Sequence, residues 1–189
     1  MNEKLPYSNN QSIEYNFRLS QIRGREVERL VKAHVICLKE HMHIQDYTDW
    51  MSYQKLGIDF IWHRIVDGKF NMISFDVKAD FKYEDSGNLF LETHSIYGKA
   101  GGYLSTQADY FFHVLPYTGK MFRIPVADFL QKWDDKINPK SAWKLTKEIK
   151  PVRVDGSEGG GFLISETELL RDLPRVTVEN IDKLDPKAS

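Results

Sequence analysis

The sequence predicts a mixed α/β, or α+β, fold in which a mixed central sheet is flanked by helices. Three observations carry that expectation. An early stretch places Val27, Leu30, Val31, His34, Val35 and Leu38 at helical spacing. Two strand-like runs flank Asp67-Gly68, and further short apolar runs alternate with helical patterns toward the C-terminus. The composition agrees: 189 residues, 41% hydrophobic and 28% charged, with a formal net charge of -1, supply one ordinary core and exclude a disordered chain. A single domain is expected, with a flexible N-terminal arm (about residues 1–12) and a flexible C-terminal tail (about 174–189).

The elements follow in order. The opening residues, MNEKLPYSNNQS, are polar and turn-rich. A helix is expected from Ser20, acting as N-cap, to His41. Glu28 falls three residues before Val31, at the border of the buried stripe, with Glu26 as its neighbouring alternative. The plain reading of Glu28 is a solvated carboxylate paired with Lys32. Cys37, the one cysteine, sits in the apolar pattern and is expected to pack. A single cysteine, an opening without an apolar leader and no apolar run of roughly 18 residues together predict a cytoplasmic chain that does not span a membrane. Residues 42–56 lack clean periodicity and are expected to form a loop with a short helix. His41 and His43 have no companion ligands for a structural zinc site.

From Gly57 to Lys78 (GIDFIWHRIVDGKFNMISFDVK) the chain reads as a hairpin, because a two-residue type I′ turn needs positive φ at both central positions and Asp-Gly supplies it. With Val66 facing Lys69, the register carried outward sets Asp59 opposite Asp76 and Gly57 opposite Lys78. Opposed like charges destabilise a sheet unless something compensates, and a divalent cation is the direct compensation. Alternation puts Asp76 and Lys78 on one face. Two acids and a lysine at one end of a hairpin have the makings of a hydrolytic metal site.

Beyond the hairpin, Asn88–His94 reads as a third strand, and Leu104–Ala108 as a short turn of helix. Asp109–Leu115 reads as a buried strand that makes a second hairpin with Lys120–Pro125, and Val126–Trp133 as a helix. Lys140–Lys150 is expected to be loop or weak helix, and Val152–Val154 with Gly161–Ile164 an edge hairpin. Ser165 with Glu168 forms a capping box for a short helix through Leu170. Tyr97–Gly102 (YGKAGG) lacks the order of a P-loop and is expected to be a mobile loop at the site's rim. Lysines and arginines outnumber the acids from Lys120 to Arg153, a local basic surface or simply a solvated face.

Taken together, a helix carrying Glu28, then Gly57-Ile58-Asp59, then Asp76-Val77-Lys78, then a further helix and strand, this chain resembles the PD-(D/E)xK nuclease superfamily, whose fold is restriction-endonuclease-like. The helix motif RGREVERLVK is similar to the opening helix of archaeal Holliday-junction resolvases, where a metal-binding glutamate stands four residues after a glycine; that resemblance selects Glu28 over Glu26. NLFLETHSIYGKAGGYLSTQADYFFHVLP resembles phage and bacterial members. The likeness covers roughly Gly24 to Pro125. Gly57-Ile58 replaces the naming proline, and Asp76 stands where many members carry glutamate; neither change removes a ligand or the lysine.

The resemblance implies hydrolysis of phosphodiester bonds, DNA foremost, by a cytoplasmic endonuclease using Mg²⁺, with Mn²⁺ as substitute. Asp59, Asp76, the Val77 carbonyl and Glu28 would hold the metal, and Lys78 would orient water or neutralise developing charge. Lys99, Thr106 and Gln107 are candidate substrate contacts, and Glu92, Lys82 and Tyr83 weaker ones. One site cuts one strand, so a homodimer is expected. A non-catalytic nucleic-acid-binding or assembly module on the same fold, and a metal-free protein with solvated hairpin acids, are the competing readings.

Overall fold

A computed structural model describes residues 8–38, 41–81, 83–94, 102–137, 147–149 and 160–185. Helix α1 (Ser8–Ile36) is longer than the expected Ser20–His41 at its start and shorter at its end. Residues Ser8 to Gln11 therefore belong to a helix and not to an arm, since nothing between Ser8 and Gly24 breaks one. Ser20 lies inside the helix and not at its start. Val27, Val31 and Val35 are fully buried, the stripe read from the sequence. Cys37 lies beyond the helix and is exposed, contrary to the packing expected of it.

Strand β1 (His41–Asp46) occupies residues expected to be loop, and α2 (Met51–Gln54) is the short helix after it. The Asp67-Gly68 turn joins β2 (Phe60–Val66) to β3 (Lys69–Ala79), with φ of 51° and 72° at its two residues. The register runs as predicted from Val66 against Lys69 to Phe60 against Phe75. There β2 ends, and the Asp59 N–H turns to the Phe75 carbonyl at 2.9 Å. Asp59 and Asp76 are therefore not ladder partners, and neither are Gly57 and Lys78.

After α3 (Tyr83–Ser86), β4 (Leu89–His94) leaves the main sheet. A 3₁₀ turn (Gly102–Leu104) leads back to β5 (Tyr110–Leu115), parallel to β3, and β6 (Lys120–Pro125) returns beside it. Helix α4 (Val126–Ile137) follows. Strand β7 (Lys147–Ile149) occupies part of the stretch Lys140–Lys150 expected to be loop or weak helix; residues 140–146 and 150 lie outside the described residues. Strand β8 (Gly160–Ile164) pairs antiparallel with β4 and with the edge strand β7; Val152–Val154, expected as its hairpin partner, lie outside the described residues. Helix α5 (Glu166–Asp172) starts at the expected capping box, the Ser165 side chain accepting from the Glu168 N–H and Glu168 reaching back. The expected fraying tail instead contributes β9 (Thr177–Asn180), paired with β6, and Ile181 and Leu184 pack on the core.

The result is the mixed sheet flanked by helices that the pattern predicted: β1-β2-β3-β5-β6-β9, antiparallel except at β3–β5, with a smaller antiparallel sheet β4-β8-β7. Helix α1 buries its valines against Phe60, Trp62, Phe75, Phe112 and Val114 on one face. On the other, Phe111, Phe122 and Ile124 meet Phe129 of α4, Leu169 of α5 and Leu89, Leu91 and Phe162 of the small sheet. No helix among the described residues is long and apolar enough to cross a membrane.

Candidate active site

The segment Phe75-Asp76-Val77-Lys78-Ala79-Asp80 alternates, so Phe75 goes to the α1 side while Asp76, Lys78 and Asp80 share the opposite face. Because β3 is flanked by β2 and β5, that face is deep: Asp76 is only 2% exposed. Burial, with the Asp59 charge adding to it, pushes the Asp76 carboxyl up to about 6, against the pull of Lys78. Lys78 Nζ stands 2.7 Å from Asp76 Oδ1. Burial works against the ammonium, but Asp76, Asp59 and Glu92 outweigh it and raise its pKa. The other oxygen, Asp76 Oδ2, is buried without a hydrogen-bond partner.

Asp59 sits just before β2, where its Oδ2 accepts from the Val77 N–H at 2.6 Å. Burial raises its pKa, opposed by that hydrogen bond and by Lys78 and Lys32. Glu28 approaches from α1, and its pKa is raised by burial and then by Asp59. Its Oε2 accepts from Thr48 Oγ1 at 3.0 Å. Lys32 does not take it up as a partner: the lysine bonds Asp46 at 2.6 Å and Thr48 at 3.1 Å. Glu26 is exposed. Glu92, half-buried on β4, is raised by burial and lowered in part by Lys78, so a third carboxylate acts on the same ammonium.

No protein-family model matches the chain, and no curated protein does. Among solved structures it is similar to a nuclease from a fusselovirus, at 14% identity over 91% of this chain and 95% of that one, with a TM-score of 0.32.

Among the described residues, no group of three or more His, Cys, Asp or Glu side chains could enclose a metal ion by itself. The donor set has a different character: a buried carboxylate with one oxygen unpartnered, and a second carboxylate whose charge raises its pKa. That fits Mg²⁺, which keeps several waters and takes one or two carboxylates, and does not fit an all-protein cage.

The loop before β5 holds the acids in place. Thr106 Oγ1 donates to the Gly57 carbonyl at 2.8 Å and accepts from the Ala108 N–H at 3.1 Å, and the Gln107 N–H donates to the Leu56 carbonyl at 2.7 Å. Thr106 also lies beside Asp76, but its single hydroxyl proton is committed to Gly57. Thr106 is thus buried and clamps the approach to Asp59, whereas the Gln107 side chain is exposed at the rim. Lys99 and Lys82 lie outside the described residues; Tyr83 packs against the core between α4, α5 and the small sheet.

Gly57 is required at the clamp. Its φ is +66°, and a Cβ there would stand 2.8 Å from Thr106 Oγ1 and 2.9 Å from the Thr106 backbone. Gly57→Ala is expected to cost about 2 kcal/mol or more, combining left-handed strain with the clash. Urea unfolding measures it, and an unchanged midpoint would remove the clamp from the account.

One cluster escaped the sequence reading. Tyr103 Oη and His113 Nδ1 are hydrogen-bonded, His113 Nε2 is 3.7 Å from Asp80 Oδ2, and the same Asp80 oxygen accepts from the Phe90 N–H at 2.8 Å. Burial, then Asp76, Asp80 and Glu92, holds the Tyr103 hydroxyl well above its ordinary pKa. The available signal was Asp80, which continues the Asp76–Lys78 alternation, and a histidine inside the apolar run DYFFHVL.

Proposed function

We propose that this protein is a metal-dependent nuclease of the PD-(D/E)xK kind, hydrolysing phosphodiester bonds and acting on DNA as an endonuclease. The observation that supports this most is the buried Asp76, with Lys78 Nζ at 2.7 Å from one oxygen and no partner at the other. A buried carboxylate is normally fully hydrogen-bonded, so an open oxygen beside a second acid reads as a position kept for a cation.

In this reading Asp59 and Asp76, with the Val77 carbonyl and Glu28, hold Mg²⁺, or Mn²⁺ in its place. Bound there, the metal supplies Lewis acidity at the phosphoryl group and makes water a better nucleophile. Lys78 has its ammonium fixed by Asp76 and its pKa raised, so it meets substrate as a full positive charge and neutralises charge developing on the phosphate. Thr106 keeps the Asp59 approach in register with Asp76. Beside Glu28 a groove of about 340 Å³ is lined by Arg25, Arg29 and Lys32 together with Asp46 and Asp49. Its arginines provide backbone contacts that are indifferent to sequence.

The test is incubation with supercoiled, linear, branched and single-stranded DNA and with RNA, with Mg²⁺, with Mn²⁺ and with chelator. Metal-dependent cleavage of DNA is expected. Intact nucleic acid in every arm ends the nuclease reading.

A further inference from the structure

The face of the central sheet that carries Asp76 is covered over β5 and β6 but open over the hairpin. The pairings His43 with His63, His63 with Met72, and Ile65 with Phe70 place these residues on one face. Phe70, Met72, Ser74 and Asp76 follow one another on it at a spacing of two. Phe70 is 59% exposed, Met72 60% and Ile65 45%. The His43 and His63 rings lie 5.6 Å apart, and those of His63 and Phe70 5.7 Å, so the surface is a continuous apolar and aromatic sheet face.

We propose that this face binds a second copy of the chain, the two hairpins packing sheet on sheet about a two-fold axis. Area is the first argument. Phe70, Met72 and Ile65 each leave about half of a large side chain in water, roughly 300 Å² together, already in the range of the largest patches on monomers and often functional. His43 and His63 extend it toward the roughly 800 Å² per partner of a stable interface. Charge is the second. The patch residues His43, His63, Ile65, Phe70 and Met72 include no lysine, arginine or carboxylate, so a two-fold contact with Phe70 at its axis brings no like charges together. A nucleic acid finds less here: between this patch and Asp76, Asp109 holds Ser74 through its N–H at 2.8 Å and its hydroxyl at 2.7 Å, which sets a carboxylate in the path of a phosphate chain.

The surface stands apart from the catalytic reading, and its test needs neither metal nor nucleic acid. Sedimentation equilibrium of the full chain is expected to show a concentration-dependent dimer. Phe70→Glu should weaken self-association about thirtyfold or more, the scale of an interface hot spot, with thermal unfolding of the protomer unchanged. Mixing Phe70→Glu with Phe70→Lys should restore a dimer, because the two-fold contact then pairs opposite charges. Ile22→Glu, at an apolar side chain exposed elsewhere, should leave the dimer intact. A monomer at all concentrations overturns the proposal, as does a Phe70→Glu variant that dimerises as tightly as the parent. A monomer whose nucleic-acid affinity falls on Phe70→Glu would also overturn it and give the face to the substrate.

Discussion

Asp76→Asn is expected to bring cleavage to background while making the metal-free protein more stable at neutral pH. The two effects share a cause. The Asp76 carboxyl is raised from its ordinary 3.8 to about 6 in the folded chain, chiefly by burial, so its charge opposes folding. Stability contributed by the neutral form is fully present below about pH 4 and is lost as the pH rises through about 6. A shift of about two units corresponds to roughly 3 kcal/mol as an upper figure, since the substitution also removes the Lys78 ion pair. Thermal unfolding in chelator should therefore separate parent and variant at about pH 8 and bring them together at about pH 4. A gap that does not change with pH would show that Asp76 titrates normally. Asp59→Asn should also abolish cleavage with the fold retained, because an amide oxygen can still accept from Val77.

Lys78→Ala should behave differently. It removes a cation that meets the phosphate and no metal ligand, so turnover should fall about a hundredfold or more, the scale of losing one electrostatic stabiliser. Metal binding by calorimetry should survive, and DNA affinity in Ca²⁺ should change little. The variant also leaves a buried carboxylate without its cation, which raises the Asp76 pKa further. Its stability should fall short of the parent above about pH 6, where Asp76 ionises, and approach it in acid. If Asp59→Asn, Asp76→Asn and Lys78→Ala all cleave DNA as well as the parent in Mg²⁺, the hairpin is not the active site.

What could be read from the sequence was what is decided locally. Asp67-Gly68 fixed the hairpin register as far as Phe60 and Phe75 because turn chemistry acts over two residues. The same holds for the Ser165–Glu168 capping box and the valine stripe of α1. What could not be read depends on distant partners. HMHIQD has little strand character, and β1 exists because β2 offers it an edge. Strands β4, β7 and β8 assemble into a sheet of their own, and β9 returns to β6 from the end of the chain; no local pattern announces either pairing. At the site, alternation alone placed Asp76 with Lys78. The register overreached at Asp59, because Gly57, clamped by Thr106, turns the chain away before a pair with Asp76 can form. The Tyr103–His113–Asp80 cluster joins three separate elements and matches no short motif.

The parallel pairing of β3 with β5 has a kinetic side. The β2–β3 hairpin can close within its own turn, but β5 reaches β3 only after the whole excursion through β4 has been gathered in, and such a non-local contact forms late. Until then Asp76 lacks the cover of β5 on one flank, and with it part of the burial that raises its pKa. The strain on its charge thus arises in the docking step, and refolding in chelator should slow as the pH rises past about 6, whereas Asp76→Asn should refold at a rate nearly independent of pH over that range.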